Sequence, residues 1–174
     1  MLTRTTVILI SAALALSGCT ASSDQVEPDQ SQSTDGAPAL TGTPVRVEVS
    51  GTFGTEPVLS ITAGDPVTEL EVTDLVVGTG DAVPAGATVT ADYVGYGAAS
   101  SQMFDSSWVR AEPATFPLPN VILGWQEGLV GMQVGGRRLL VIPAELGYGD
   151  KPPAGSGIAA GETLIFVVDL VSFE

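Results

Sequence analysis

The chain contains no histidine. That absence excludes Ser-His-Asp and Cys-His catalysis and every metal site built on imidazole. Cysteine occurs once, at Cys19. No internal disulfide can form, and everything after Cys19 lacks a thiol nucleophile. Lys and Arg number 6 against 20 Asp and Glu, a formal net charge of −14. Such a chain has no electrostatic footprint for nucleic acid and is repelled by anionic lipid. Strong helix formers are sparse, whereas Gly (21) and Pro (12) are frequent and Val and Thr recur. This favours a β-rich fold with many turns. A length of 174 residues fits one domain plus appendages.

The N-terminus reads as an address. Residues 1–18 have the form of a secretion signal, with Arg4 as the positive n-region and Val7 to Leu16 as an apolar run broken only by Ser11. That run is too short for a bilayer core of roughly 30 Å, which needs about 20 residues. Leu16-Ser17-Gly18-Cys19 resembles the bacterial lipobox. The resemblance implies cleavage before Cys19, lipid attachment to its thiol, and a cell-membrane location on the extracytoplasmic side. Two or three acyl chains, palmitate among them, anchor stably where one is marginal. The alternative is an ordinary signal peptide with an incidental Cys. Residues 19–44 are rich in Ser, Thr, Gln, Asp, Pro and Gly, with almost no large apolar side chains. They are expected to form a disordered acidic tether with a reach of about 25–30 Å.

From Val45 the pattern changes. Val45, Val47 and Val49 alternate with Arg46, Glu48 and Ser50, Gly51 to Gly54 can turn, and Val58 to Thr62 can return. Residues 45–66 are therefore expected to be an N-terminal extension, a β-hairpin packed on the main domain of residues 67–174. In that domain strands are expected over Glu69–Val77, Thr88–Tyr96, Gly136–Ile142 and Glu162–Phe173. On the last of these, Leu164, Phe166, Val168 and Leu170 share one face. A helix is expected over Val121–Met132, where Ile122, Trp125 and Leu129 recur at helical spacing. Gly124, Gly128 and Gly131 make it a poor helix unless a sheet packs over its apolar side. The expected class is α+β: a twisted antiparallel sheet of about five strands wrapped on one short helix, a half-barrel with a pocket between them.

Five motifs resemble one family. Tyr93-Val94-Gly95, Phe104-Asp105-Ser106-Ser107, Val121 through Leu129, Gly147-Tyr148-Gly149 and Thr163-Leu164-Ile165-Phe166 are similar to the successive signatures of FKBP-type peptidyl-prolyl isomerases, in order and at nearly their spacing. The resemblance spans Glu69 to Glu174. It implies cis/trans isomerisation of X-Pro bonds in a pocket floored by Trp125 and walled by Tyr93, Phe104, Val121, Ile122 and Phe166. It also implies that Tyr148 donates a hydrogen bond to a substrate carbonyl. Asp105, held by Tyr93 and Arg110, would face the twisting amide, and Ile158 would lie on a loop over the pocket.

The implied partners are proline-containing unfolded or exported polypeptides, with macrolides as candidate pocket ligands. No cofactor and no metal is called for. The membrane is reached through the lipid anchor only, nucleic acid is not a partner, and the chain is expected to be a monomer. On the residues alone, Trp125, Phe166, Ile122 and Val121 are also compatible with plain core. Tyr148 is also compatible with a structural turn, and Asp105 with Arg110 with a structural ion pair. Ser106 and Ser107 read as turn or capping residues. The chain leaves the family pattern at three places. Ala114 stands where an aromatic wall is common, Leu118-Pro119-Asn120-Val121 is about two residues short, and the loop reads Ile158-Ala159-Ala160 where Ile-Pro-Pro is common. The first is expected to open the pocket on one side and the third to loosen the loop. These departures motivate an alternative reading: a proline-peptide-binding chaperone module with weak or no turnover.

Overall fold

The computed structural model describes residues 42–174. The expectations for the signal peptide, for Cys19 and for the tether as far as Thr41 lie outside the described residues. Among the described residues, eight strands and two short α-helices follow in order: β1 (Arg46–Ser50), β2 (Val58–Thr62), β3 (Glu71–Val76), β4 (Thr88–Gly97), β5 (Met103–Ser106), α1 (Ser107–Arg110), β6 (Ala114–Pro117), α2 (Leu123–Gly128), β7 (Arg137–Ile142) and β8 (Leu164–Phe173).

The main sheet is antiparallel and runs β3-β7-β8-β4-β5, with β6 also on β4. β5 pairs with the C-terminal half of β4 and β6 with its N-terminal half, so two short strands share one edge. The sheet has six strands where about five were expected. The additional pairing comes from Met103–Ser106 and Ala114–Pro117, which are too short to show a clear alternation.

β8 is the spine. It pairs with β4 along nearly its whole length and with β7 on its other side. Its stretch from Leu164 to Leu170 is buried on both faces. The inner face carries Leu164, Phe166, Val168 and Leu170, together with Val89, Ala91 and Tyr93 of β4 and Leu140 and Ile142 of β7. These pack on Trp125 and Leu129. The outer face carries Ile165, Val167, Val94, Leu139 and Val141.

β1 and β2 form a separate antiparallel hairpin, with Val47 opposite Ile61 and Val49 opposite Leu59. Those four side chains pack on the outer face, as the alternation in the sequence allows. Under the hairpin loop lies a buried ion pair between register partners on β7 and β8. Arg137 Nε donates to Asp169 Oδ1 at 2.5 Å and Nη2 donates to Oδ2 at 2.8 Å. The loop closes over it: Arg137 Nη2 donates to the Thr55 carbonyl at 2.6 Å, and the Gly54 N–H donates to Asp169 Oδ2 at 2.7 Å.

α2 is shorter than the helix expected over Val121–Met132. Ile122 caps it in an extended conformation, ψ 150°, and Gly131 at φ +77° turns the chain away beyond its end. The glycines that weaken the helix also seat it. A Cβ on Gly124 would lie 2.4 Å from Ile142, and one on Gly128 would lie 2.7 Å from Leu140. The helix backbone therefore rests directly on β7, close enough for Trp125 to reach β8.

Candidate functional site

A cavity of about 280 Å³ opens between α2 and the inner face. Trp125 lines it and is 4% exposed. Three rings meet the indole close to edge-on: Tyr93 at 5.3 Å and 89°, Phe166 at 5.4 Å and 85°, and Phe116 at 5.5 Å and 78° between centroids and planes. Phe104 stands edge-on to Phe166 at 5.5 Å. Each such pair contributes about 0.5–1.5 kcal/mol beyond the area it buries, so the ring array is stiff. Gly95 makes it possible, because a Cβ there would sit 2.7 Å from Phe104 and 2.8 Å from Phe166.

One carboxylate faces this array. The Tyr93 hydroxyl donates to Asp105 Oδ2 at 2.5 Å, and Arg110 Nη1 and the Ser106 N–H donate to Oδ1 at 2.6 and 2.8 Å. Arg110 Nη2 also donates to the Tyr93 hydroxyl at 2.8 Å, which closes a triangle. Burial raises the carboxyl's affinity for a proton. The bonds from Tyr93 and Arg110 outweigh that and hold Asp105 below its ordinary value of 3.8. Burial, then the bond to Asp105, pushes Tyr93 up to about 12. The Arg110 and Asp105 side chains are 48% and 41% exposed. Their ion pair is screened and contributes less than about 1 kcal/mol to stability. Its consequence is orientation: Asp105 stays ionised and its Oδ atoms stay fixed.

Two donors at the cavity are unused. Trp125 Nε1 is buried with no hydrogen-bond partner. The Tyr148 hydroxyl has no hydrogen bond among the described residues, and its residue is 37% exposed. Burial, and then the Asp105 charge, raises the Tyr148 pKa, so it remains a donor at neutral pH. An apolar cavity with a fixed anion and two free donors can bind an apolar ring flanked by amides. It offers no group placed to break a covalent bond.

Tyr93, Phe104, Asp105, Val121, Ile122, Trp125, Tyr148 and Phe166 all line the cavity. Arg110 does not, and acts on it through Asp105 and Tyr93. Ile158 is not on the lining either. It is half-buried against the inner cluster. Two lining residues were not singled out from the sequence, Phe116 and Asn120. β6 is too short for its alternation to mark Phe116, and no local signal marks Asn120. Ala114 pairs with Ala91 and packs into the core away from the cavity. The shortened segment is one tight turn, in which the Val121 N–H donates to the Leu118 carbonyl at 3.3 Å. Gln126 Nε2 donates to the Val121 carbonyl at 2.8 Å and ties that turn to α2. Ser107 links β4 to α1 through Asp92 and the Tyr93 N–H, and Ser106 caps α1.

Comparison with known proteins gives a consistent answer. A model of the FKBP-type peptidyl-prolyl cis-trans isomerase family matches residues 80–171. An FK506-binding protein of Streptomyces anulatus is 46% identical over 119 residues, which cover 67% of this chain and 96% of that protein. A probable FK506-binding protein of Corynebacterium glutamicum is 43% identical over 118 residues, covering 67% and 98%. Among solved structures, FkpA from Escherichia coli superimposes with a TM-score of 0.57 at 39% identity, covering 62% of this chain and 49% of that one. This chain thus spans about half the length of FkpA.

Proposed function

The chain belongs to the FKBP-type peptidyl-prolyl cis-trans isomerase family, and from that membership we propose that it assists the folding of exported polypeptides at the membrane surface. In this reading Cys19 carries the lipid and residues 19–44 hold the domain clear of the bilayer. The lipobox-like Leu16-Ser17-Gly18-Cys19 supports it. A Cys19→Ser variant is expected to leave the membrane fraction and to lose metabolic labelling with palmitate. Unchanged fractionation and labelling would rule out this anchor.

The observation that carries the catalytic reading is the ring-lined cavity with Asp105 at its edge. Rotation about an X-Pro bond crosses a barrier of about 18–20 kcal/mol and breaks no bond, so it needs neither nucleophile nor metal. The twisted amide loses resonance. Its nitrogen becomes more basic and its carbonyl less polar. An apolar pocket therefore disfavours the planar amide more than the twisted one, which is differential binding of the transition state. A rate gain of about 10⁴–10⁵ corresponds to roughly 5–7 kcal/mol.

In this proposal Trp125 is the floor under the proline ring, with Tyr93, Phe104, Val121, Ile122 and Phe166 as walls. Tyr148 donates to the carbonyl of a residue flanking the bond. Asp105 acts by its fixed charge and not as a proton-transfer base, because a carboxylate held below its ordinary pKa by Tyr93, Arg110 and the Ser106 N–H is a weak base. Ile158 and Arg110 act at one remove, through the loop and through Asp105.

A proline tetrapeptide isomerisation assay on the full chain tests this account. Asp105→Asn keeps the shape and removes the charge, and is expected to lower kcat/KM about tenfold, or 1.4 kcal/mol. Full activity in a folded Asp105→Asn protein would eliminate the electrostatic role. A macrolide is expected to compete with the tetrapeptide, and binding without any acceleration would instead favour a chaperone module.

A further inference from the structure

Two loops flank the cavity. The β4–β5 turn, residues 98–102, leads directly into Phe104 and Asp105. The longer loop, residues 147–161, carries Tyr148 and Ile158 and ends at β8. Its base is closed by the Gly161 N–H donating to the Gly149 carbonyl at 2.9 Å.

Glu162 lies between them and is 6% exposed. Its Oε1 accepts the Ser100 N–H at 3.1 Å, from the first loop. Its Oε2 accepts the Ala159 N–H at 2.8 Å, from the second. It makes no salt bridge among the described residues. A buried carboxylate without a cation must be held by hydrogen bonds or take up a proton. Burial raises its proton affinity, but the N–H groups of Ala159, Ser100 and Ala99 and the Ser100 hydroxyl outweigh that and hold it below the usual carboxylate range.

Two further positions are shaped around this contact. A Cβ on Gly97 would lie 2.3 Å from Glu162 Oε1, so the residue opposite the carboxylate must have no side chain. Ala159 supplies the second donor, which a proline at that position would lack. The loop expected to be loosened by Ile158-Ala159-Ala160 is instead tied down through the N–H that this departure provides.

We propose that Glu162 is a positioning residue: its carboxylate ties the loop bearing Tyr148 and Ile158 to the turn that delivers Phe104 and Asp105, and so sets the width of the pocket mouth. The proposal rests on the reading that Tyr148 contacts substrate. Trp125, Phe166 and Asp105 are held by their own contacts. Loss of the bridge is therefore expected to weaken substrate binding and to leave turnover of bound substrate intact.

The test uses the full chain and a proline tetrapeptide, with kcat and KM measured separately and amide exchange followed by NMR. Glu162→Gln is expected to speed exchange at Ser100 and Ala159. It should also raise KM about fivefold with kcat held, the equivalent of one lost hydrogen bond. Ala159→Pro is expected to raise KM similarly, and to add little in the Glu162→Gln background because both remove the same link. Glu162→Gln with faster exchange but unchanged KM would overturn the proposal, as would a fall in kcat at constant KM. If Glu162→Gln does not fold, Ala159→Pro decides on the same readouts. Tyr148→Phe separates the two ideas. If it leaves KM and kcat unchanged, the reading of Tyr148 fails, whatever the Glu162 variants show.

Discussion

The two faces of the main sheet come from the same strands and end differently. On the inner face, rings from β4, β5, β6, α2 and β8 meet edge to face and leave a cavity of about 280 Å³ between them. The outer face is mostly aliphatic, and the hairpin closes over it. The polar groups follow the same division. Asp105 and Arg110 stand half-exposed at the mouth of the inner face, whereas Arg137 and Asp169 are 1% and 3% exposed under the hairpin loop. Ile165 and Phe166 are adjacent in sequence, yet one belongs to the closed face and the other to the open one. A register slip of one residue would exchange them.

The largest effect is expected where the closed face hides its charge. Asp169→Ala leaves Arg137 buried and unpaired and strips a partner from the Gly54 N–H. Removing one member of a buried pair costs about 3–5 kcal/mol. Denaturant unfolding should show that loss, while kcat/KM of the folded fraction stays at the wild-type value. A loss of activity without a loss of stability would mean that the two faces are not separable in this way.

A smaller and sharper contrast comes from neighbours on β8. Val167→Ala removes two buried methyl groups from the outer cluster and is expected to cost about 1–3 kcal/mol with no change in kcat/KM. Phe166→Leu keeps an apolar side chain but loses the edge-on contacts to Trp125 and Phe104. It is expected to cost about 1–3 kcal/mol in stability and about tenfold in kcat/KM, or 1.4 kcal/mol. If both variants lose activity in proportion to stability, the ring array is core and not a site.

Much of this was legible in the sequence, for identifiable reasons. The alternation Val45-Val47-Val49 placed a hairpin, and the alternation on β8 identified its inner face. The five motifs located the cavity lining apart from Phe116 and Asn120. Other features depend on pairings that no local pattern encodes. Arg137 and Asp169 are 32 residues apart and meet only through the β7–β8 register. Glu162 meets Ser100 across 62 residues. The helix was overread because Ile122 and Leu129 continue the apolar spacing of Trp125 beyond both ends of α2, where Ile122 is extended and Gly131 turns left-handed. The short strands β5 and β6 hold four residues each, fewer than alternation needs to stand out from chance.

The smallest expected effect is that of pH on the open face. Asp105 is held below its ordinary value of 3.8, so its contribution to stability is present above that value and is lost as pH falls through the lowered one. Tyr93 is raised from 10.0 to about 12, so its contribution is intact below 10.0 and is lost as pH rises toward about 12. The Asp105 side chain is 41% exposed, and its contribution amounts to less than about 1 kcal/mol. Between these limits the Arg110–Tyr93–Asp105 triangle keeps one protonation state, the raised Tyr148 keeps its proton, and no histidine exists to titrate. A mechanism of fixed charge and shape therefore predicts a flat kcat/KM from about pH 5 to pH 9. Proton transfer through Asp105 would give an equally flat profile, because its carboxyl titrates below that range, but it requires a solvent deuterium isotope effect on kcat/KM that a fixed charge does not. Measuring the profile and the solvent isotope effect for the wild type and for Asp105→Asn, with the tetrapeptide free of titratable groups, decides between them. A shared flat profile at two different heights, without an isotope effect, is the result that electrostatic stabilisation demands.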